Sequence, residues 1–143
     1  IIMSIENNMN VAGSALAAQM VRLNAIASNI ANASVVAGSE EEAFRAKRAV
    51  FQSIVGEYVQ KYGKDLEGGV VIDEIVDDPS AVKKLHQPWN EVADKDGYVY
   101  ASNVNEIEEM VEMLAASRSY QNNVQVITTS KELLLRTLDV AKV

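Results

Sequence analysis

The chain has 143 residues, a formal net charge of −7 and no cysteine. That length supports one modest domain with a usable core. The acidic balance argues against a general nucleic-acid binder, which needs a positive footprint for phosphate, and the missing thiols exclude disulfides, cysteine catalysis and thiolate metal sites.

Charge is spread unevenly: residues 1–39 hold only Glu6 and Arg22, whereas residues 68–103 carry seven acids against three bases. A long uncharged segment in an acidic protein is expected to be buried against something. The longest uncharged runs are broken by Asn, Gln, Ser and Gly, so no membrane span is expected. No basic start leads into an apolar block with a small-residue cleavage site, so a cleavable secretory signal is not expected either. Met3 reads as the initiator, with Ile1 and Ile2 set aside.

From about Ile5 to Ala33 the residues Met9, Ala12, Leu16, Gln19, Leu23, Ile26 and Ile30 recur at alternating steps of three and four. This is the seam spacing of a coiled coil and predicts one long helix. No proline interrupts it, and its one glycine, Gly13, weakens helix propensity only modestly. Ala15, Ala18, Ala25, Ala27 and Ala31 allow close helix approach, while Asn24, Asn29 and Asn32 add polar groups able to fix register.

The segment from Ser39 to Gly63 has two readings. Ser39 with Glu42 looks like a capping box, and Phe44, Phe51, Val55, Tyr58 and Tyr62 fit helical spacing. Yet "FRAKRAVF" is equally an amphipathic strand, and periodicity does not choose between them. Beyond Gly68-Gly69, "VVIDEIV" is a β-branched run ended by "DPS", a strand followed by a turn. Pro88-Trp89 is expected as a local anchor because a tryptophan brings much apolar area. Asp96-Gly97 predicts a turn ahead of a short strand at Tyr98-Val99-Tyr100.

The final region mirrors the first. Met110, Met113, Ser117, Tyr120, Val124, Ile127, Lys131, Leu134, Leu138 and Ala141 keep the same rhythm. The polar cluster Ser117, Arg118, Ser119, Gln121, Asn122 and Asn123 does not break the phase, so one long helix is predicted. The fold class is therefore α+β: long N- and C-terminal helices pairing as a coiled coil, with a small β-rich module between them. Its parts are an N-terminal helix over 3–34, a β-rich middle over 35–103 and a C-terminal helix over 104–143.

Chemistry-bearing constellations are sparse. His86 is the one histidine, which rules out a His-rich metal centre, and no serine sits in a nucleophile-elbow pattern. Asp73, Glu74, Asp77 and Asp78 lack calcium-loop spacing and read as a solvated strand edge. The glycines form no phosphate-binding loop. Arg45, Lys47 and Arg48 make a small basic patch suited to the rim of a protein contact or a solvated face. No catalytic, cofactor-binding or metal residue is assigned, and no enzyme activity is expected.

The informative stretches are the ends. "AGSALAAQMVRLNAIASNIANAS" (12–34) resembles the N-terminal signature of bacterial flagellar axial proteins, the rod and hook subunits. "DGYVYASNVNEIEEMVEMLAASRSYQNNVQVITTSKELLLRTL" (96–138) is closer still to the basal-body rod proteins of that family. "FRAKRAVFQ" (44–52) and "DPSAVKKLHQPWNEVADKDGYV" (78–99) match its middle in order and spacing. The chain departs from the pattern at 35–43, where Pro/Gly character is missing, at Phe44, where tyrosine is usual, and at 53–69, which looks helical. The resemblance favours a strand over 44–51.

What the resemblance implies is assembly. It points to a structural subunit of the proximal rod, helping to build the periplasm-spanning drive shaft and its export channel. Delivery would be through the flagellar type III export apparatus without a cleavable signal peptide. Implied partners are copies of itself in a helical array and other rod subunits, FlgB and the distal rod protein among them. Leu16, Leu23, Ile26, Ile30, Met110, Met113, Tyr120, Val124, Ile127, Leu134 and Leu138 are then the helix seam. Asn24, Asn29, Asn32, Arg118, Gln121, Asn122 and Asn123 would set register or meet neighbours. The competing readings are a soluble coiled-coil adaptor or secretion chaperone, and another axial subunit such as FlgB.

Overall fold

A computed structural model describes residues 2–54 and 68–141 of the chain. Helix α1 (Ile2–Asn32) and helix α2 (Glu106–Ala141) enclose, in sequence, the strands β1 (Val36–Ala37), β2 (Lys47–Ser53), β3 (Val70–Asp77), β4 (Lys83–His86) and β5 (Tyr98–Ala101). The architecture is α+β: two long helices that pack together, and a small β module between them in the chain. Residues 44–51 resolve to strand for the most part, as the family resemblance favours. The helical character expected over 53–69 falls mainly on 55–67, outside the described residues.

Local chemistry sets the helix ends. Asn105 caps α2: its Oδ1 accepts the Ile107 N–H at 3.2 Å, and its carbonyl accepts the Glu109 N–H at 3.0 Å. Glu106, Glu108 and Glu109 occupy the first turn, where the helix dipole favours negative charge. Beside it, α1 closes through tight bonds from Ala33 N–H to Ile30 O and Val35 N–H to Asn32 O. The Ser39–Glu42 pairing exists, with the Glu42 N–H reaching Ser39 Oγ at 3.4 Å. It closes a turn rather than a helix, because the chain then extends into β2.

The chain forms two compact units. In the unit made of residues 22–49 and 75–114, β1, β5 and β4 form a sheet in that order, both pairings antiparallel, with Ala37 opposite Tyr100 and Lys84 opposite Tyr100 from the other side. Val99, at the centre of the middle strand, is fully buried. The Asp94–Gly97 turn needs its glycine, since Gly97 has φ +79° and a Cβ there would lie 3.0 Å from Pro88 Cβ. The helices run antiparallel here: Ser34 bonds Glu106, Asn29 bonds Glu109 and Arg22 pairs with Glu112, so one number falls as the other rises.

The expected anchor at Pro88-Trp89 is not one. Trp89 is 80% exposed, because the loop that carries it is held by hydrogen bonds rather than by apolar packing, and Val99 takes the central seat. His86 lies exposed on the edge strand β4, its ring tilted against Tyr98 at a centroid distance of 5.0 Å. Lys83 and Lys84 charge that edge, which discourages strand addition. The Lys84 ammonium stands 4.2 Å from the Tyr98 ring centroid, and its side-chain hydrogen bond with Tyr100 raises its pKa above the ordinary 10.5.

In the unit made of residues 2–21, 50–54, 68–74 and 115–141, Ala12, Ala18, Ile54 and Ala116 are buried. Ser14 Oγ donates to Val11 O at 2.7 Å and accepts the Val70 N–H at 3.1 Å, tying the start of β3 to α1. The Ile54 N–H bonds Gly69 O at 2.9 Å where β2 ends and β3 begins.

Candidate assembly site

A buried polar network occupies the centre of the 22–49/75–114 unit. Asn29, on α1 and fully buried, clamps the backbone of Lys47 from both sides: its Oδ1 accepts the Lys47 N–H at 2.7 Å and its Nδ2 donates to Lys47 O at 3.0 Å. The same Nδ2 donates to Glu109 Oε2 at 2.9 Å. Glu109, also fully buried, receives Arg48 Nη1 on its other oxygen at 2.7 Å. Arg48 Nε in turn lies 3.5 Å from Asp78 Oδ2. One carboxylate and one amide thus join α1, β2 and α2, and a buried charge is tolerable here because both oxygens are engaged.

A second asparagine holds the strand from the other side. Asn103 Oδ1 accepts the Ala46 N–H at 2.8 Å, and its Nδ2 donates to Asp78 O and Ser80 O. The Asp78 N–H bonds Ala46 O at 2.8 Å. Asp78 accepts both the hydroxyl and the N–H of Ser80, and these bonds, aided by Arg48, hold its carboxyl below the ordinary value of 3.8. The basic patch is therefore not a free one: Arg45 faces Glu40, Lys47 faces Asp77 and Arg48 faces Asp78 and Glu109. Asp73 and Glu74 stand exposed on β3. Among the described residues no group of three His, Cys, Asp or Glu side chains is arranged to hold a metal ion.

On α2 one row of low exposure is Glu109, Met113, Ala116, Tyr120, Asn123, Ile127, Ser130 and Leu134, with Glu112, Ser119 and the expected seam residue Ser117 also partly covered beside it. It alternates steps of four and three, as a helix seam does. Met113, Tyr120, Ile127 and Leu134 belong both to it and to the seam expected from hydropathy. The intervening positions fall one residue earlier than expected and carry small or polar side chains. Met110, Val124 and Leu138 are 53%, 40% and 43% exposed. On α1, Ile26 is buried, Leu16, Leu23 and Ile30 are half-buried, and Ala18, Ala25 and Asn29 complete the covered face.

The polar residues sort by the same criterion. Asn29 lies inside, Asn32 donates to Ser28 O at 2.8 Å, and Asn123 donates to Ser119 O at 2.9 Å. Asn24, Arg118, Gln121 and Asn122 point outward. Hydropathy alone passes over Glu109, Asn103 and Arg48, since glutamate in a first helical turn reads as a dipole partner. The signal that could locate them is the pairing of Asn29 with an acid at seam spacing on the opposite helix.

The outer face of α2 in this unit is apolar. Ile107, Val111 and Leu114 are 75%, 61% and 63% exposed, and with Met110 they form a stripe along the helix. Beside it Arg48, Ile107, Glu108, Val111 and Glu112 line a groove of about 400 Å³. A stripe of this kind marks a surface that something covers.

The family model described as flagella basal body rod protein matches residues 9–38, and that described as flagellar basal body rod FlgEFG protein C-terminal matches residues 95–140. The flagellar basal-body rod protein FlgC of Yersinia enterocolitica is 45% identical over 140 residues, 98% of this chain and 100% of the relative. That of Salmonella typhimurium is 41% identical over the same span and coverage. The Bacillus subtilis protein of the same name is 28% identical over 151 residues, covering 98% of this chain and all of the relative.

Proposed function

Since the chain belongs to the FlgC family of flagellar basal-body rod proteins, we propose that it is a structural subunit of the bacterial flagellar basal-body rod, working by assembly with other rod components. The observation that carries this reading into the structure is the uncovered apolar stripe Ile107–Met110–Val111–Leu114 on α2. A lone copy leaves it in water; a packed array covers it.

The finer reading is a subunit of the proximal rod, in the shaft that crosses the periplasm around an export channel. The chain reaches that place through the flagellar type III export apparatus and meets FlgB, the distal rod protein and its own copies. Met113, Tyr120, Ile127 and Leu134 act as the seam within a copy. Met110, Val124 and Leu138, with Asn24, Arg118, Gln121 and Asn122, face neighbours or the channel.

The test is deletion of the coding sequence followed by electron microscopy of isolated basal bodies. Loss of motility with structures that stop at the inner-membrane ring supports an early rod subunit. Complete rods and hooks in the deletion strain overturn it and favour a soluble adaptor or secretion chaperone.

A further inference from the structure

Two features of the unit formed by residues 22–49 and 75–114 go unused in its own packing. The first is Trp89, 80% exposed on the loop between β4 and β5. That loop is well held. The Gln87 N–H bonds Gly97 O at 2.9 Å, Asn90 Oδ1 accepts the Val92 N–H, and Asp94 Oδ1 accepts the N–H groups of Asp96 and Tyr98. Gly38 backs it so closely that a Cβ there would stand 2.8 Å from Val92 O. The indole is thus displayed on an ordered support, the arrangement that lets an aromatic anchor bind with little further loss of freedom.

The second feature is the groove of about 400 Å³ beside α2. Ile107 and Val111, one turn apart, supply its apolar floor. Arg48 forms a wall, and its guanidinium is fixed from two directions by Glu109 and Asp78. A planar cation so held favours an aromatic face laid against it. Glu108 supplies the acceptor that a buried indole N–H requires, since Glu112 is paired with Arg22. The volume lies in the roughly 300–1,000 Å³ range of pockets that hold a compact group. An apolar floor, a flat cation and a carboxylate together describe a seat for an aromatic ring with one donor.

We propose that Trp89 of one copy of this chain seats in the groove between Arg48 and the Ile107–Val111 floor of a second copy. Trp89 is exposed and so does not fill the groove of its own chain; knob and hole are separate patches. Where the seating runs one way the contact is heterologous: one copy of each pair keeps a free hole and the other a free knob, so the contact propagates from copy to copy, whereas reciprocal exchange of the two knobs would close a two-fold dimer. The proposal rests on the rod-subunit reading and identifies the partner at this surface as another copy of the same chain.

The chain has no cysteine and one tryptophan, so both residue types give clean probes. The test is the double variant Trp89→Cys/Val111→Cys, both exposed positions, expressed as the sole copy in cells. Basal bodies are isolated, oxidised and run without reductant. The expected result is a ladder of multiples of the chain that reductant collapses to monomer, with neither single variant giving one. Monomer alone, from basal bodies that contain the chain, overturns the contact and leaves the rod reading standing. Adducts to a different subunit overturn self-contact in favour of another rod protein. Absence of the chain from basal bodies overturns both readings. In the purified full chain, Trp89 emission is expected to shift blue as concentration rises, and Val111→Asp to abolish the shift; emission independent of concentration across the assembly transition overturns the proposal.

Discussion

The side-chain amide of Asn29 and the carboxylate of Glu109, 80 positions apart in sequence, meet at 2.9 Å with both residues fully buried. Replacing Asn29 with alanine leaves the Lys47 N–H and carbonyl without side-chain partners and removes one of the donors to Glu109. An unsatisfied buried group costs about 1–3 kcal/mol, so Asn29→Ala is expected to lower stability by that order. Urea unfolding checks this: the midpoint falls while the slope holds, because the surface exposed on unfolding is unchanged. Glu109→Gln keeps the shape and one acceptor, and is expected to cost less.

Asn103 separates two functions of one side chain. Its Oδ1 serves the Ala46 N–H, and its Nδ2 serves the carbonyls of Asp78 and Ser80. Asn103→Asp retains the acceptor and loses the donors, whereas Asn103→Ala loses both. The expected order of unfolding midpoints is wild type, then Asp, then Ala, with the alanine variant lower by about 1–3 kcal/mol. Equal midpoints for wild type and Asn103→Ala would show that water replaces the clamp without loss.

Much of this fold is legible in the residues, and the misses have a common cause. Unbroken seam spacing locates both helices, the β-branched run after Gly68-Gly69 locates β3, and the Asp96-Gly97 turn before Tyr98-Val99-Tyr100 locates β5. Hydropathy then chooses Met110, Val124 and Leu138 as seam members because they are bulky. Burial instead follows Glu109, Ala116, Asn123 and Ser130, whose small or hydrogen-bonded side chains permit close approach. Met110, Val124 and Leu138 are left exposed beside that row. Trp89 misleads for the same reason, since apolar area alone does not say which chain covers it.

Asp78 makes stability depend on pH. Its carboxyl is held below the ordinary 3.8, first by the Ser80 hydroxyl, then by the Ser80 N–H, with Arg48 adding to the effect. A depressed carboxylate contributes stability that is present above its unfolded pKa and lost as pH falls through the folded value. The loss therefore belongs below about pH 3.8. Ser80→Ala is expected to move the Asp78 midpoint back toward 3.8, read by carboxyl carbon NMR, and to bring acid unfolding to higher pH. An unmoved midpoint would assign the effect to the Ser80 N–H and Arg48 instead.

Position on the helix, more than chemical type, is expected to decide which substitutions stop assembly. Tyr120 sits half-buried in the α2 row, and His86 lies exposed on an edge strand. Tyr120→Asp places a charge where apolar packing is needed, while His86→Ala removes a ring that touches only Tyr98 among the described aromatic contacts. Swimming assays are expected to show a large loss for the first and near-normal spread for the second. Equal loss in both would count against the role of the α2 row.

The far end of α2 bears on the order of folding and assembly. Between residues 131 and 140 Leu134 is the one side chain outside the exposed class, and Leu133, Leu135, Leu138 and Val140 are 51%, 52%, 43% and 78% exposed. Isolated helical segments this short are marginal in water, because propagation barely offsets the cost of nucleation. The same helix near Glu109 is fixed by buried bonds to Asn29 and Arg48. Amide hydrogen exchange on the dilute chain is therefore expected to be fast over 131–140 and slow around 109, with the fast region gaining protection when the chain assembles. Strong protection of 131–140 in the dilute chain would mean that this end is ordered before any neighbour arrives, and that assembly docks a finished helix instead of completing one.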